Sequence, residues 1–296
     1  MKRVLSTADV PQQFLQAAYL VGHVPLKALE ADPRVSYMLY IPPAHYDSDT
    51  NSRKLPLLVW IHGTRRRLGA LEDGDLVAFA NSTPCAILAP IFPAGLDGPN
   101  DLDSYKLLRS TTFRSDLALL SMLDEISPRW PGIATDKVFM LGFSGGGQFV
   151  HRFLYLHPER LLAVSVGAPG RATVLDERYQ WPLGIADVQK LFARTINKEL
   201  IRDVAVQLAV GDEDNEVHGG NDFWTWLQKV QGKESDTTRQ ITNQGRLQVV
   251  RHLHAAWASD DINCQLDVVP GAAHEAGKIR PSQLQFLGYL MQVAIE

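Results

Sequence analysis

The stretch Lys137-Val-Phe-Met-Leu-Gly-Phe-Ser144-Gly-Gly-Gly-Gln-Phe-Val-His151 constrains the fold of this chain more than any other. Val138 to Leu141 is unbroken and apolar, the pattern of a buried strand. Phe149, Val150, Phe153 and Leu154 then recur at i, i+1, i+4 and i+5, one face of a helix that Pro158 brings to an end. Between strand and helix lies Gly142-Phe143-Ser144-Gly145-Gly146, a G-x-S-x-G. Three fixed positions of this kind arise by chance in about one chain in ten of this length. The flanking strand and helix therefore carry more weight than the pattern itself. In that context a sharp turn lifts a serine hydroxyl clear of the backbone, where a base reaches it from one side and a substrate from the other. Such a turn strains the serine and leaves no room for side chains two residues before and after it. The free N–H groups of the following helix point to where negative charge would develop.

The remainder alternates strand and helix patterns. Strands are expected at Arg34–Ile41, Leu55–Ile61, Cys85–Ile91, Leu161–Val166, Val204–Val210 and Asn263–Val269. The second of these is almost wholly apolar, as a strand covered on both faces should be. Helices are expected over residues 70–80, and where Phe113, Leu117, Leu120, Leu123 and Ile126 form a stripe stopped by Pro128. Further helices are expected near 186–200, at Leu247, Val250, Leu253 and Trp257, and at Leu284, Leu287, Met291 and Ile295, the last with Ser282 as its cap. Val10 to Leu29 reads as a helix packed on the body. Residues 92–108 form a Gly-, Pro- and Asp-rich loop, and Gln231 to Gly245 a polar one. Alternation on this scale predicts an α/β fold, a mostly parallel sheet with helices on both faces. One domain over 1–296, with 167–202 as a lid insertion, is the simplest organisation.

Composition narrows the class. A net charge of −4 argues against nucleic acid or an anionic membrane as the main partner. No run of 18 apolar residues exists to span a bilayer. Met1-Lys2-Arg3 is followed by Asp9 and Pro11 before any long apolar run, which disfavours a signal peptide. Cys85 and Cys264 are too few for a disulfide framework and lie in apolar, strand-like runs, so two buried free thiols and a cytoplasmic location are expected.

In a parallel sheet of this kind, ligands bind beyond the carboxyl ends of the strands. Thr64, Ser144, the acidic cluster 212–214 and His274 all fall at such ends. A serine nucleophile needs a base, and the base needs a carboxylate to hold its tautomer. Ser, acid, His is also the chain order of an α/β-hydrolase. The pieces Ser36-Tyr-Met-Leu-Tyr-Ile-Pro42, Ile61-His-Gly-Thr64, Gly142-Phe-Ser-Gly-Gly146, Gly211-Asp-Glu-Asp214 and Val269-Pro-Gly-Ala-Ala-His274 span most of the chain. In these pieces it resembles the α/β-hydrolase superfamily, within it the esterase branch of polyhydroxybutyrate-depolymerase-like and feruloyl-esterase-like proteins.

The resemblance implies Ser144 as nucleophile, His274 as general base and Asp214 as the acid, with Asp212 and Glu213 as its rivals. It implies an oxyanion hole from the backbone N–H groups of Thr64 and Gly145, and no cofactor. The Ile61-His-Gly-Thr64 turn differs from the HGGG loop of lipases. The implied activity is hydrolysis of a carboxylic ester, lactone or thioester of a small molecule. The alternatives are a peptidase or amidase of prolyl-oligopeptidase type, whose usual propeller has no room in 296 residues, and a non-hydrolytic acyltransferase or lyase. Secreted relatives carry a signal peptide and several cysteines, and their absence here counts against an extracellular polymer as substrate.

Around this constellation, Arg65, Tyr105, Phe143, Trp181 and Trp224 are candidate substrate contacts. Arg65 stands in a run of three arginines that could anchor an anion or simply open a solvated helix. Trp181, Phe223, Trp224 and Trp226 would line a pocket or pack in the core. His62 reads as structural. His252 and His254, on opposite sides of a helix, do not make a metal site.

Overall fold

The computed structural model describes residues 5–49, 53–72, 74–216 and 245–295. Its centre is an eight-stranded sheet in the order β1-β2-β4-β3-β5-β6-β7-β8. The strands are β1 (Gly22–Ala28), β2 (Ser36–Ile41), β3 (Leu57–Ile61), β4 (Ala86–Ile91), β5 (Val138–Phe143), β6 (Leu161–Gly167), β7 (Ala205–Gly211) and β8 (Cys264–Val269). β1 and β2 run antiparallel to their neighbours, and β3 to β8 pair parallel. All five residues of β3 are buried, whereas at the edges β1 is mostly exposed and β8 mostly part-exposed. Only an interior strand needs to be apolar on both faces.

The helices are α1 (Gly69–Glu72), α2 (Asp75–Ser82), α3 (Ser115–Arg129), α4 (Gly145–Leu156), α5 (Val188–Phe192), α6 (Lys198–Arg202), α7 (Arg246–Ser259) and α8 (Ala276–Ile295). One core layer joins the sheet to α3, α4 and α7 through Met122, Phe149, Phe153, Val250 and Trp257. The other joins it to α1, α2 and α8 through Leu71, Leu76, Leu287 and Met291. This is the mostly parallel sheet with helices on both faces expected of the alternating pattern. Among the described residues, no helix is long and apolar enough to cross a membrane.

Four expectations are corrected. The segment 10–29 is not a helix: short 3-10 turns at Thr7–Asp9 and Gln12–Phe14 precede β1, an edge strand that pairs with β2. β1 buries Val24, and its register slips between Val24 and Lys27, around Pro25. Proline, which cannot donate to a ladder, is accommodated at an edge or a bulge. α3 turns Ala118, Leu119, Met122, Leu123 and Ile126 inward and leaves Leu117 46% exposed, so the buried stripe is rotated from the expected one. Pro128 sits within its last turn. The expected helix near 186–200 is two short helices, α5 and α6. Ser282 lies inside α8, where its hydroxyl donates to Asp267 Oδ2 at 2.7 Å rather than capping the helix.

Register fixes where the loops meet. Ile61 lies beside Gly142, Phe143 beside Gly167, Gly167 beside Ala209, and Gly211 beside Val269. Parallel pairing thus carries the residues that follow β3, β5, β6, β7 and β8 to one rim of the sheet.

Candidate active site

At the end of β5 the backbone turns through Ser144 at φ 58° and ψ −114°, a strained conformation for a residue with a side chain. The Ser144 N–H donates to the Gly167 carbonyl at 2.8 Å, and its own carbonyl accepts the Gln148 N–H at 3.0 Å, the first bond of α4. The turn closes tightly. A Cβ on Gly146 would lie 2.2 Å from the Ile61 carbonyl oxygen, and one on Gly142 would lie 2.5 Å from the Gly146 carbonyl. Neither position admits a side chain without moving backbone.

The loop after β3 is braced from below. His62 is fully buried, and its Nδ1 lies 2.8 Å from the Gly63 carbonyl while its Nε2 accepts the Phe92 N–H at 3.1 Å. A ring nitrogen that accepts an N–H carries no proton, so the proton is on Nδ1. Burial holds the imidazole pKa down to about 4, so His62 is a neutral strut. Arg66 binds the carbonyls of Phe92, Thr64, Pro93 and Leu102 at 2.8–3.3 Å. These contacts press Thr64 against the start of α4. A Cβ on Gly145 would come within 2.9 Å of the Thr64 nitrogen and 2.4 Å of the Tyr105 hydroxyl.

Beyond β7 and β8, two turns interlock. The Asp212 and Glu213 N–H groups donate to the carbonyls of Val269 and Ala272 at 3.1 and 3.0 Å. Asp212 and Glu213 face solvent, and Asp214 is turned inward at 1% exposure. The Asp214 Oδ2 lies 2.7 Å from His274 Nδ1, and its Oδ1 accepts from Arg246 Nη1 at 3.3 Å. The His274 ring packs on Phe143, centroids 4.6 Å apart, next to Ser144 in the chain. His274 keeps 23% of its side chain exposed, so the ring is open to solvent. Among the described residues, no hydrogen bond joins the Ser144 hydroxyl to the ring.

The expected substrate contacts divide. Phe143 is part-exposed against His274. Arg65 faces solvent. Tyr105 has no exposed surface; its hydroxyl donates to the His62 carbonyl at 3.1 Å, and its ring stacks on Phe92, so it supports the loop from within. Trp181 is half-buried, with Nε1 donating to the Leu107 carbonyl at 2.9 Å. Trp224 lies outside the described residues, as do Phe223 and Trp226. His254 bonds the Cys264 carbonyl, and among the described residues no cluster of His, Cys, Asp or Glu could hold a metal ion. Both cysteines are free; Cys85 is buried, and Cys264, at the sheet edge, is part-exposed.

Three buried residues near the rim were not expected from sequence: Arg246 on Asp214, Lys106 beside Thr64, and Arg152 on α4. Lys106 Nζ donates to Thr64 Oγ1 at 3.2 Å.

No protein-family model matches the chain, and no curated protein matches it in sequence. Solved structures do match in shape. LpqC, a poly(3-hydroxybutyrate) depolymerase from Bordetella parapertussis, superposes with a TM-score of 0.64 at 21% identity, covering 95% of this chain and 94% of that one. Poly(aspartic acid) hydrolase-1 from Sphingomonas sp. KT-1 gives 0.62 at 19%, over 87% and 93%. An S-formylglutathione hydrolase from Agrobacterium tumefaciens gives 0.56 at 15%, over 90% and 93%. At these identities the likeness establishes the fold.

Proposed function

We propose that the protein is a serine hydrolase that cleaves an ester, thioester or lactone of a small molecule. Ser144 attacks the carbonyl carbon as His274 Nε2 takes the hydroxyl proton, with Asp214 holding the Nδ1 proton and balancing the imidazolium charge. The oxyanion is held by the N–H groups of Thr64 and Gly145. The alcohol or thiol leaves with the proton from His274, and a water activated by the same ring cleaves the acyl-enzyme. One observation carries the reading: a buried carboxylate and a part-exposed imidazole, 2.7 Å apart, stand on the same rim as a strained, glycine-flanked serine. The missing serine–imidazole bond is compatible with it, because such bonds commonly tighten only around substrate.

The shape-matched proteins named above are by name two hydrolases and a depolymerase, and their names give three different substrates. Residues between β6 and β7, with α5 and α6, are read as a cap over the rim within a single catalytic domain. The part-exposed free thiol of Cys264 fits a reducing cytoplasm.

A fluorophosphonate probe tests the assignment. Labelling of wild type at Ser144, lost in Ser144→Ala together with hydrolysis of short-chain p-nitrophenyl esters, is the expected result. Unchanged labelling or unchanged hydrolysis in Ser144→Ala would overturn it.

A further inference from the structure

Behind the Ser144 turn, on the sheet face that α8 covers, a line of polar side chains crosses an apolar layer. Leu284, Leu287 and Met291 pack there against Phe139, Leu141 and Ala163. Gln283, beside them on α8, is 1% exposed, and Ser165 on β6 and Gln207 on β7 are fully buried. Ser165 and Gln207 are register partners, so their side chains leave the same face of the sheet. Gln283 Nε2 donates to Ser165 Oγ at 3.0 Å, and the Ser165 hydroxyl donates to Gln207 Oε1 at 2.5 Å. Gln207 Nε2 donates in turn to Asp267 Oδ2 at 2.5 Å, and Ser282 Oγ donates to the same oxygen at 2.7 Å. The donors all run one way, and the line ends on a carboxylate, the strongest kind of acceptor. A buried network of this kind is costly when half satisfied, and when complete it fixes one arrangement of its elements.

The line joins the supports of Ser144 and His274. The Gln283 amide also faces the carbonyls of Gly142 at 3.4 Å and Ser165 at 3.3 Å. A Cβ on Gly167 would lie 3.0 Å from Gln283 Nε2, so the amide fills the space that a side chain at 167 would take. Gly142 opens the Ser144 turn, and the Gly167 carbonyl holds the Ser144 N–H. At the far end, Asp267 stands on β8, which leads into the His274 loop, and α8 begins at Ala276, just past that loop.

Accepting the serine-hydrolase reading, we infer that Gln283 is a positioning residue for the reaction: it ties the Ser144 turn to the β8–α8 segment that carries His274. It touches no substrate and moves no proton. Its effect is on the gap between the Ser144 hydroxyl and the imidazole. Among the described residues no hydrogen bond spans that gap, so alignment rests on the segments behind it. A misplacement of about 1 Å, even from a change far from the chemistry, can cost about 100-fold in rate, and a fraction of that shift about tenfold.

Gln283→Met tests this, because it keeps the length of the side chain and removes the donor. Ser165 Oγ retains its bond to Gln207, so the buried hydroxyl is not orphaned and the cost in stability should be small. In the variant, kcat for p-nitrophenyl butyrate should fall about tenfold with KM within about twofold of wild type, and fluorophosphonate labelling of Ser144 should slow by the same factor. Gln285→Met, at an exposed position on the same helix, should change neither. A lowered Tm with kcat per folded molecule retained would make Gln283 a packing residue and overturn the inference. So would a rise in KM with kcat unchanged.

Ser165→Ala cuts the next link with a small residue and should slow labelling roughly threefold. The double variant should lose no more than Gln283→Met alone, because both changes break one line; fully additive losses would overturn it. Should Gln283→Met not fold, Ser165→Ala decides, and labelling at the wild-type rate counts against the inference. If wild type is neither labelled at Ser144 nor active on esters, the hydrolase reading falls, and this inference with it. If wild type is active and the variants match it, only the inference falls.

Discussion

Among the described residues, the same chemical pair occurs twice. His274 lies 2.7 Å from Asp214 on the rim, and His157 lies 2.9 Å from Asp116 beneath α3 and α4. In each pair an arginine also binds the carboxylate: Arg246 at 3.3 Å in the first, Arg114 at 2.6 Å in the second. Both aspartates are buried. The difference lies in the imidazole, with 23% of the His274 side chain exposed against 2% for His157, and in what stands nearby. His274 packs on the residue before a strained serine, whereas His157 packs on Phe153 in the core. A histidine–aspartate contact is therefore not in itself a catalytic signature. In the proposed reading, access and a nearby nucleophile make one pair reactive, whereas closure makes the other a fastener between helices.

The sharpest way to break this comparison is to disable each imidazole in turn. His274→Gln should lower kcat for p-nitrophenyl butyrate by about 10⁴-fold, the scale of losing a triad member. His157→Gln should leave it within roughly threefold of wild type, because it touches nothing on the rim. Comparable losses from both variants would erase the distinction.

The carboxylates should respond the other way round. Asp116→Ala leaves Arg114 and His157 without their anion inside the core, a change of about 3–5 kcal/mol in stability and roughly 10 °C in Tm. Scanning calorimetry reads it directly, and a Tm within 2 °C of wild type would show that the buried pair does not fasten α3 to α4. Smaller still is the expected effect of Arg246→Gln. Its bond to Asp214 is long, so losing it should lower kcat by about tenfold, one pK unit's worth of interaction, with KM unchanged. An unaltered kcat would make Arg246 a bystander to the rim pair.

Most of the rim was legible in the sequence because parallel strands end where the alternation predicts. Ser144, Thr64, the 212–214 turn and His274 each follow an apolar run by a residue or a few, and topology alone carries them together. The choice among Asp212, Glu213 and Asp214 was not legible from the residues, since all three are acidic and only the fold turns one inward. Lys106, Arg152 and Arg246 were hidden for a related reason. A cation is buried by what packs on it from far along the chain, and its neighbours in sequence do not report that. Arg152 lies on a helix buried on every side, where the apolar stripe no longer marks the inner face. β1 escaped notice because an edge strand holding a proline has neither alternation nor an apolar run.

Acid should separate the two pairs more finely. Burial alone would raise the Asp116 carboxyl, but hydrogen bonds from His157 and Arg114 overcome it and hold the group below the usual carboxylate range. A depressed folded-state pKa adds stability that is complete above the unfolded value of about 3.9 and is lost as pH falls through the folded value. The stability gap between wild type and Asp116→Asn, taken from urea unfolding, should thus be constant from pH 7 to 5 and shrink below about pH 4. Neutral asparagine keeps the shape of the side chain and removes only the titration, so packing loss is largely excluded from the difference. A gap that stayed level down to pH 3 would mean that the buried carboxylate is held by shape and not by charge, and the likeness between the two pairs would then be one of geometry alone.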